Sequence, residues 1–288
     1  WNGDIAEIMV FNRDMSYTDR YLIEGYLAWK WGITADLPAA HSYKDTRLNP
    51  QGATFSPLSV NNLIMWVDGT DVCGNSTTPA NGVNMPVWID KSGSNNHMVA
   101  GPGTPTYSNS AVRCGGAAGM FASGVTAVPY TAFFVYTNLS GPGVLFSTTN
   151  AFNNSGFWPT DNIVGGSGYI ARSDSSWFTI TNTPFPVNRM NMATIQYSGA
   201  ASGSAVTGYL DASQVFTTTT TGTISRSFLG LAYRGAAGNY LTVNYNEILY
   251  FSRILTVPER QSVEGYLAWK WNLVQYLPST HPYKKFSP

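Results

Sequence analysis

The 288-residue sequence is short of charge, of cysteine, of long apolar runs and, over most of its length, of glutamate. Charged residues make up only 11% of it, sixteen basic against sixteen acidic, and no Lys/Arg block exceeds the Lys284-Lys285 pair. Such a chain lacks the electrostatic footprint of a nucleic-acid binder, so nucleic acid is not an expected partner. No apolar run approaches the eighteen or so residues of a membrane span, and no basic-then-apolar leader opens the sequence, so no membrane span is expected. The two cysteines, Cys73 and Cys114, are too few for a disulfide framework and lack the CxxC spacing of zinc or redox sites. Either they pair, closing a loop worth on the order of 3 to 4 kcal/mol by chain entropy, or both are free thiols buried as small hydrophobes. Three sequons, at Asn75, Asn138 and Asn153, matter only in a secretory pathway.

What is present is 43% apolar and 14% aromatic, ample for a packed core. Between Asn49 and Tyr245 only twelve of 197 residues are charged, and the remaining polar load is Ser, Thr, Asn and Gly. That surface suits glycan or protein contact in an extracellular, cell-surface or virion setting. A repeat organises the rest. Glu7 to Lys44 aligns without a gap on Glu247 to Lys284, with eighteen of thirty-eight positions identical. Shared residues include Glu24 to Trp31 (EGYLAWKW) against Glu264 to Trp271, then Leu37-Pro38, His41 and Tyr43-Lys44 against Leu277-Pro278, His281 and Tyr283-Lys284. A period of 240 residues is too long for a solenoid unit and right for a large sandwich domain. Residues 1–48 therefore read as the end of one copy and 49–288 as a complete second copy, with neighbouring repeats or surface proteins as expected partners.

The repeated segment reads as strand, helix, tail. Glu247 to Phe251, like Glu7 to Phe11, is apolar on both faces, as a strand covered on both sides must be. Thr256 and Glu259 form a capping box with Pro258 in the first turn, and Ser16 and Asp19 hold the same places. Val263, Tyr266, Leu267 and Trp271 fall on one helical face, with Asn272 or Gly32 as a left-handed C-cap. Trp269 and Trp29 lie off that face and are expected under the Leu-Pro-x-x-His tail. Between the helices, Leu63 to Val67, Thr131 to Tyr136, Met192 to Tyr197, Val206 to Leu210 and Phe228 to Leu231 read as short strands between turn residues. The fold class that follows is all-β, a jelly-roll β-sandwich with one C-terminal covering α-helix.

These residues resemble the LamG-like branch of the concanavalin A-like lectin/glucanase superfamily. Leu63 to Asp68 resembles its opening strand, Trp88 to Gly93 (WIDKSG) its W-x-D-K-S-G turn, and Gly208 to Asp211 its Y-x-N-G hairpin, although Asp211-Ala212 departs from Asn-Gly. Gly3 to Ile8 (GDIAEI) matches the family's penultimate strand, and Val243 to Ile248 has lost the Gly-Asp. The terminal EGYLAWKW and LPxxHPYK resemble repeat proteins of large algal DNA viruses and some bacteria. The resemblance implies a virion or cell-surface protein meeting a polysaccharide-rich wall.

Glucanases of this superfamily carry two glutamates on one strand, whereas no Glu stands between Glu24 and Glu247 here. Glu247 and Glu264 are repeated at the terminal cover, where structural ion pairs are expected. A polysaccharide lyase needs a base and a carboxylate-neutralising cation, and His97 with Arg113, Arg172, Arg189 or Arg234 is the set available. An exposed turn also explains His97, and packing of the tail explains His41 and His281. Asp68 and Asp71 flank Gly69-Thr70 at a strand end, which admits a calcium site or Asx-turns; no other cofactor is suggested. For glycan binding the candidates are Trp158, Tyr169, Trp177, Tyr233 and the neighbouring Tyr240, with Asp161, Arg172, Asp174, Arg234 and Asn239, since sugar C–H faces stack on aromatic rings while polar neighbours satisfy hydroxyls. The expected function is a non-catalytic carbohydrate-recognition or adhesion module, with a structural capsid or fibre component and a wall-degrading lyase or hydrolase as alternatives.

Overall fold

The computed structural model describes residues 3, 5–41, 43–44, 55–101, 103–116, 118–140, 145–147, 156–158, 168–171, 177–180, 186–220, 228–232, 242–285 and 287–288. In chain order its elements are helix α1 (Tyr17–Trp31), then β1 (Leu63–Asp68), β2 (Val87–Trp88), β3 (Met98–Ala100), β4 (Thr106–Tyr107), β5 (Val112–Cys114) and β6 (Met120–Ala122). There follow β7 (Tyr130–Ser140), β8 (Phe146–Ser147), β9 (Gly156–Trp158), β10 (Gly168–Ala171), β11 (Trp177–Ile180) and β12 (Met190–Tyr197). The chain closes with β13 (Ala205–Leu210), β14 (Ser213–Thr219), β15 (Leu229–Leu231), β16 (Thr242–Phe251) and helix α2 (Val257–Lys270). One sheet runs β14-β13-β12-β7-β16-β5-β4, with β1 also paired to β16; the other runs β11-β10-β9-β8-β15-β6-β3-β2. Every strand pair among these is antiparallel, the arrangement expected of an all-β sandwich.

Strand alternation builds two cores. Ile248 and Tyr250 of β16, with Phe134 and Tyr136 of β7, join Trp88, Met98 and Met120 between the sheets. There Phe134 stacks on Phe146 at 4.6 Å between ring centroids. Leu249 and Phe251, with Phe133, Val135 and Met192, face outward and are covered by Val263, Leu267 and Ala268 of α2. This double burial is why Glu247 to Phe251 is apolar on both faces. Each fully buried aliphatic or aromatic side chain here contributes about 1.5 to 3 kcal/mol.

Helix α2 starts where expected: the Glu259 carboxylate accepts from the Thr256 amide at 2.9 Å and the hydroxyl at 2.7 Å. Arg253 clamps Glu259 from the other side at 2.7 and 2.9 Å and holds its carboxyl down to about 2. Asn272 takes a left-handed φ of 57° just past the helix, as Gly32 does at 71° past α1. In α1 the Ser16 hydroxyl accepts from the Asp19 amide at 3.0 Å. The short turns after the helices, Thr34–Asp36 and Val274–Tyr276, also correspond. One element differs: residues 5–11 form no strand, although β16 does. A strand exists through its hydrogen-bonded neighbours, and β16 has β1, β5 and β7 beside it. Both cysteines are free thiols, Cys73 exposed and Cys114 buried, so the disulfide alternative is not realised. The Asn138 sequon is buried in β7 and closed to glycosylation in the folded chain.

Candidate functional site

Among the described residues the densest cluster of chemistry-bearing side chains lies where β1, β16 and α2 meet. Glu247 is fully buried, and Trp66 and Trp271 donate their indole N–H groups to its two oxygens at 2.7 and 2.6 Å. The Tyr266 hydroxyl donates to it at 2.9 Å, and the Lys270 ammonium stands 2.8 Å from both Glu247 and Asp68. Burial raises the Glu247 pKa although Lys270 opposes it, and burial next to Glu247 raises that of Tyr266. Burial would raise Asp68 as well, but Lys270 and Thr70 outweigh it and hold that carboxyl below its usual range.

The calcium expectation gives way here. Lys91 lies 3.1 Å from the Oδ2 atoms of both Asp68 and Asp71, so an ammonium occupies the place between the carboxylates. The Oδ1 atoms are also engaged: Asp68 accepts from the Thr70 amide and hydroxyl, and Asp71 from the Asn75 and Ser76 amides. Among the described residues no group of three or more His, Cys, Asp or Glu could hold a metal ion. The Asx-turn reading of this loop is the one the geometry favours.

The repeated motif is a mechanical clasp. Glu264 is buried against Arg260 at 2.5 Å and His281 at 3.4 Å. The His281 Nδ1 accepts from the Tyr283 amide, which leaves Nε2 to donate to Glu264. Trp269 donates to the Tyr283 carbonyl at 2.9 Å, so the tail does cover it. Lys284 donates to the carbonyls of Val274, Gln275 and Leu277 at 2.8 Å each, closing the turn that carries Leu277 into the second core. Trp29, His41 and Lys44 repeat these bonds in the first copy.

Of the lyase set, His97, Arg113 and Arg189 are engaged in different places, and Arg172 and Arg234 lie outside the described residues. His97 accepts the Asp90 amide on Nδ1 at 3.0 Å, inside a turn where the Asp90 carboxylate binds the amides of Trp66, Ser92 and Asn96. Arg189 is committed to Asp211 at 2.7 Å and lies 3.8 Å above the Tyr276 ring. Arg113 lies elsewhere, in an open groove of about 250 Å³ lined by Thr104, Thr106, Gly115, Ala118 and Thr242. Sequence reasoning named Arg113 but not the groove around it; the signal available there is a cation alternating with the apolar Val112 and Cys114 along one strand.

Register relates three of the five aromatic candidates. Trp158 is the partner of Tyr169, Tyr169 of Thr179, and Ala171 of Trp177. By strand alternation Trp158, Tyr169 and Trp177 therefore hold positions on one face of β9-β10-β11. Phe157, Ile170 and Phe178 hold the alternate positions, in register with Phe146. The remaining candidates, Asp161, Arg172, Asp174, Tyr233, Arg234, Asn239 and Tyr240, lie outside the described residues.

No family model matches this chain, and no curated protein does. Solved structures match in fold. A Trypanosoma rangeli sialidase in complex with sialic acid gives a TM-score of 0.52 at 11% identity, covering 87% of this chain and 39% of that one. The receptor binding domain of botulinum neurotoxin C/D mosaic serotype gives 0.50 at 9% identity, covering 71% and 51%. The chain is thus a β-sandwich that spans about half or less of the length of these structures. Among the described residues no helix is long and apolar enough to cross a membrane.

Proposed function

We propose that the chain is a non-catalytic carbohydrate-recognition module of LamG-like type within a multidomain virion or cell-surface protein. The observation that supports this reading is the register of β9, β10 and β11, in which Trp158, Tyr169 and Trp177 hold positions of the same alternation. Adjacent strands lie about 4.8 Å apart, so the row spans about 10 Å, the reach of a short saccharide. Aromatic rows of that kind offer stacking surfaces to sugar C–H faces. By sequence Asp161, Arg172 and Asp174 fall in the connections between these strands, where hydroxyl partners are needed. The carboxylates of Asp68, Asp71, Asp90, Glu247 and Glu264 are all engaged in structural pairing, which disfavours acid-base chemistry among them. One fold neighbour holds sialic acid, so sialylated glycans belong beside algal wall polysaccharides as first ligands to test.

The test immobilises each polysaccharide and scores both retention of the protein and release of soluble or unsaturated fragments. Retention without release is expected. Trp158→Ala and Trp177→Ala should each weaken retention about tenfold, or about 1.4 kcal/mol, with the melting temperature unchanged. Release of fragments would replace recognition by degradation, and no retention on any glycan would leave the structural capsid or fibre role.

A further inference from the structure

The first copy of the repeat presents an apolar face that the second copy buries. Ile8 is 72% exposed where Ile248 is 0%, Phe11 is 44% where Phe251 is 0%, and Ile33 is 50% where Leu273 is 2%. The helix-tail side is already complete: Ala28 is buried, and Trp29 donates to the Tyr43 carbonyl at 2.8 Å as Trp269 does to Tyr283. What remains open is the side that α2 and β16 turn toward the sandwich.

The polar groups identify the missing surface. Glu7 keeps the partners supplied by its own helix, the Lys30 ammonium at 2.9 Å and the Trp31 indole at 2.9 Å. Glu247 has the same two from Lys270 and Trp271, the Tyr266 hydroxyl from the same helix, and from outside the helix the indole of Trp66, while Lys270 also meets Asp68. The two groups from outside the helix, Trp66 and Asp68, come from β1, the first strand of the sandwich. The open face of residues 5–33 thus lacks a strand carrying Trp and Asp two residues apart, together with an apolar sheet face to receive Ile8 and Phe11.

We propose that residues 5–44 close a second sandwich of this same type, carried on their N-terminal side in the same polypeptide. The segment 5–11 enters its sheet as β16 enters the sheet here, and Lys30 bridges Glu7 to that domain's aspartate. The sandwich at 55–251 cannot be the acceptor, because β16 and α2 already fill its closing site. The repeat is then a chain of domains whose last strand and helix seal each one.

The experiment extends the full chain at its N-terminus by a further copy of residues 49–240, which restores the 240-residue period. Amide exchange of residues 5–11 should slow by about a hundredfold relative to the unextended chain, and Trp31 fluorescence should become shielded from acrylamide. Asp68→Asn in the added copy should undo much of that protection while leaving exchange in β16 as it was. Fast exchange of residues 5–11 in the extended chain, or an added copy that stays unfolded, overturns the proposal.

Discussion

Gly265→Ala sets two physical effects against each other, and the structure decides between them. In an exposed helix interior the change gains about 1 kcal/mol of propensity. Here a Cβ at residue 265 would stand 2.6 Å from Tyr283 Cβ, 2.7 Å from its Cγ and 2.8 Å from its Cδ2. The nearest of these is the root of the tail side chain rather than a flexible end, so the helix or the tail must move. Forced overpacking costs about 1 to 3 kcal/mol, and three contacts below 3.0 Å place this case at the upper end. Releasing the tail instead loses the Trp269 to Tyr283 hydrogen bond, about 1 kcal/mol, and uncovers Leu277, about 1.5 to 3 kcal/mol. Either route leaves a net loss of about 2 kcal/mol after the propensity gain. That corresponds to roughly 4 to 8 °C in a melt of a chain of this size. Scanning calorimetry of Gly265→Ala, with acrylamide quenching of Trp269 as a reporter of the tail, is the assay. A melting temperature at or above that of the parent would refute the reasoning.

Lys270→Met should cost about 3 to 5 kcal/mol, since it leaves Glu247 buried without its cation; the urea midpoint measures it, and an unchanged midpoint would show that the indole donors suffice. Because the Glu259 carboxyl is held down to about 2 by Arg253, the stability this contributes is fully present above the ordinary carboxylate value of 4.5 and is lost as pH falls through about 2. In Arg253→Met the Glu259 pKa should climb back toward 4.5, read by carboxyl NMR titration. A maleimide should label Cys73 in the folded chain and reach Cys114 only on unfolding, because the second thiol is buried and its pKa is pushed up by that burial; mass spectrometry of the peptides distinguishes the two.

The elements whose signals are local were legible in the sequence. Capping residues Ser16, Thr256 and Glu259, the stop at Asn272 and the double-sided apolar strand at Glu247 to Phe251 each act within a few residues of themselves. The turn at Asp211-Ala212 was harder, because Asn-Gly reaches positive φ by propensity and this pair does not. It takes φ of 48° and 67° all the same, held by Asp211 accepting from the Met192 amide at 3.0 Å and by its pair with Arg189. Tertiary bonds here substitute for turn chemistry. The strand expected at Glu7 to Phe11 failed for the complementary reason: its local signal matches that of β16, but the neighbours that make a strand are not beside it.

The ionic clasp shows what local reading cannot reach. Trp66 and Glu247 are 181 residues apart and meet only because β1 pairs with β16. Asp68 by itself suggests a loop carboxylate free to take a cation, and only the fold delivers Lys91 and Lys270 as that cation. The clasp lies on the outer face of one sheet, beneath α2, whereas β9, β10 and β11, which carry Trp158, Tyr169 and Trp177, belong to the other sheet. Closure and the proposed recognition surface therefore draw on different sheets and different residues. Substitutions at Trp158 or Trp177 should act on retention without loosening the clasp, and substitutions at Glu247 or Lys270 should act on stability before they reach the row.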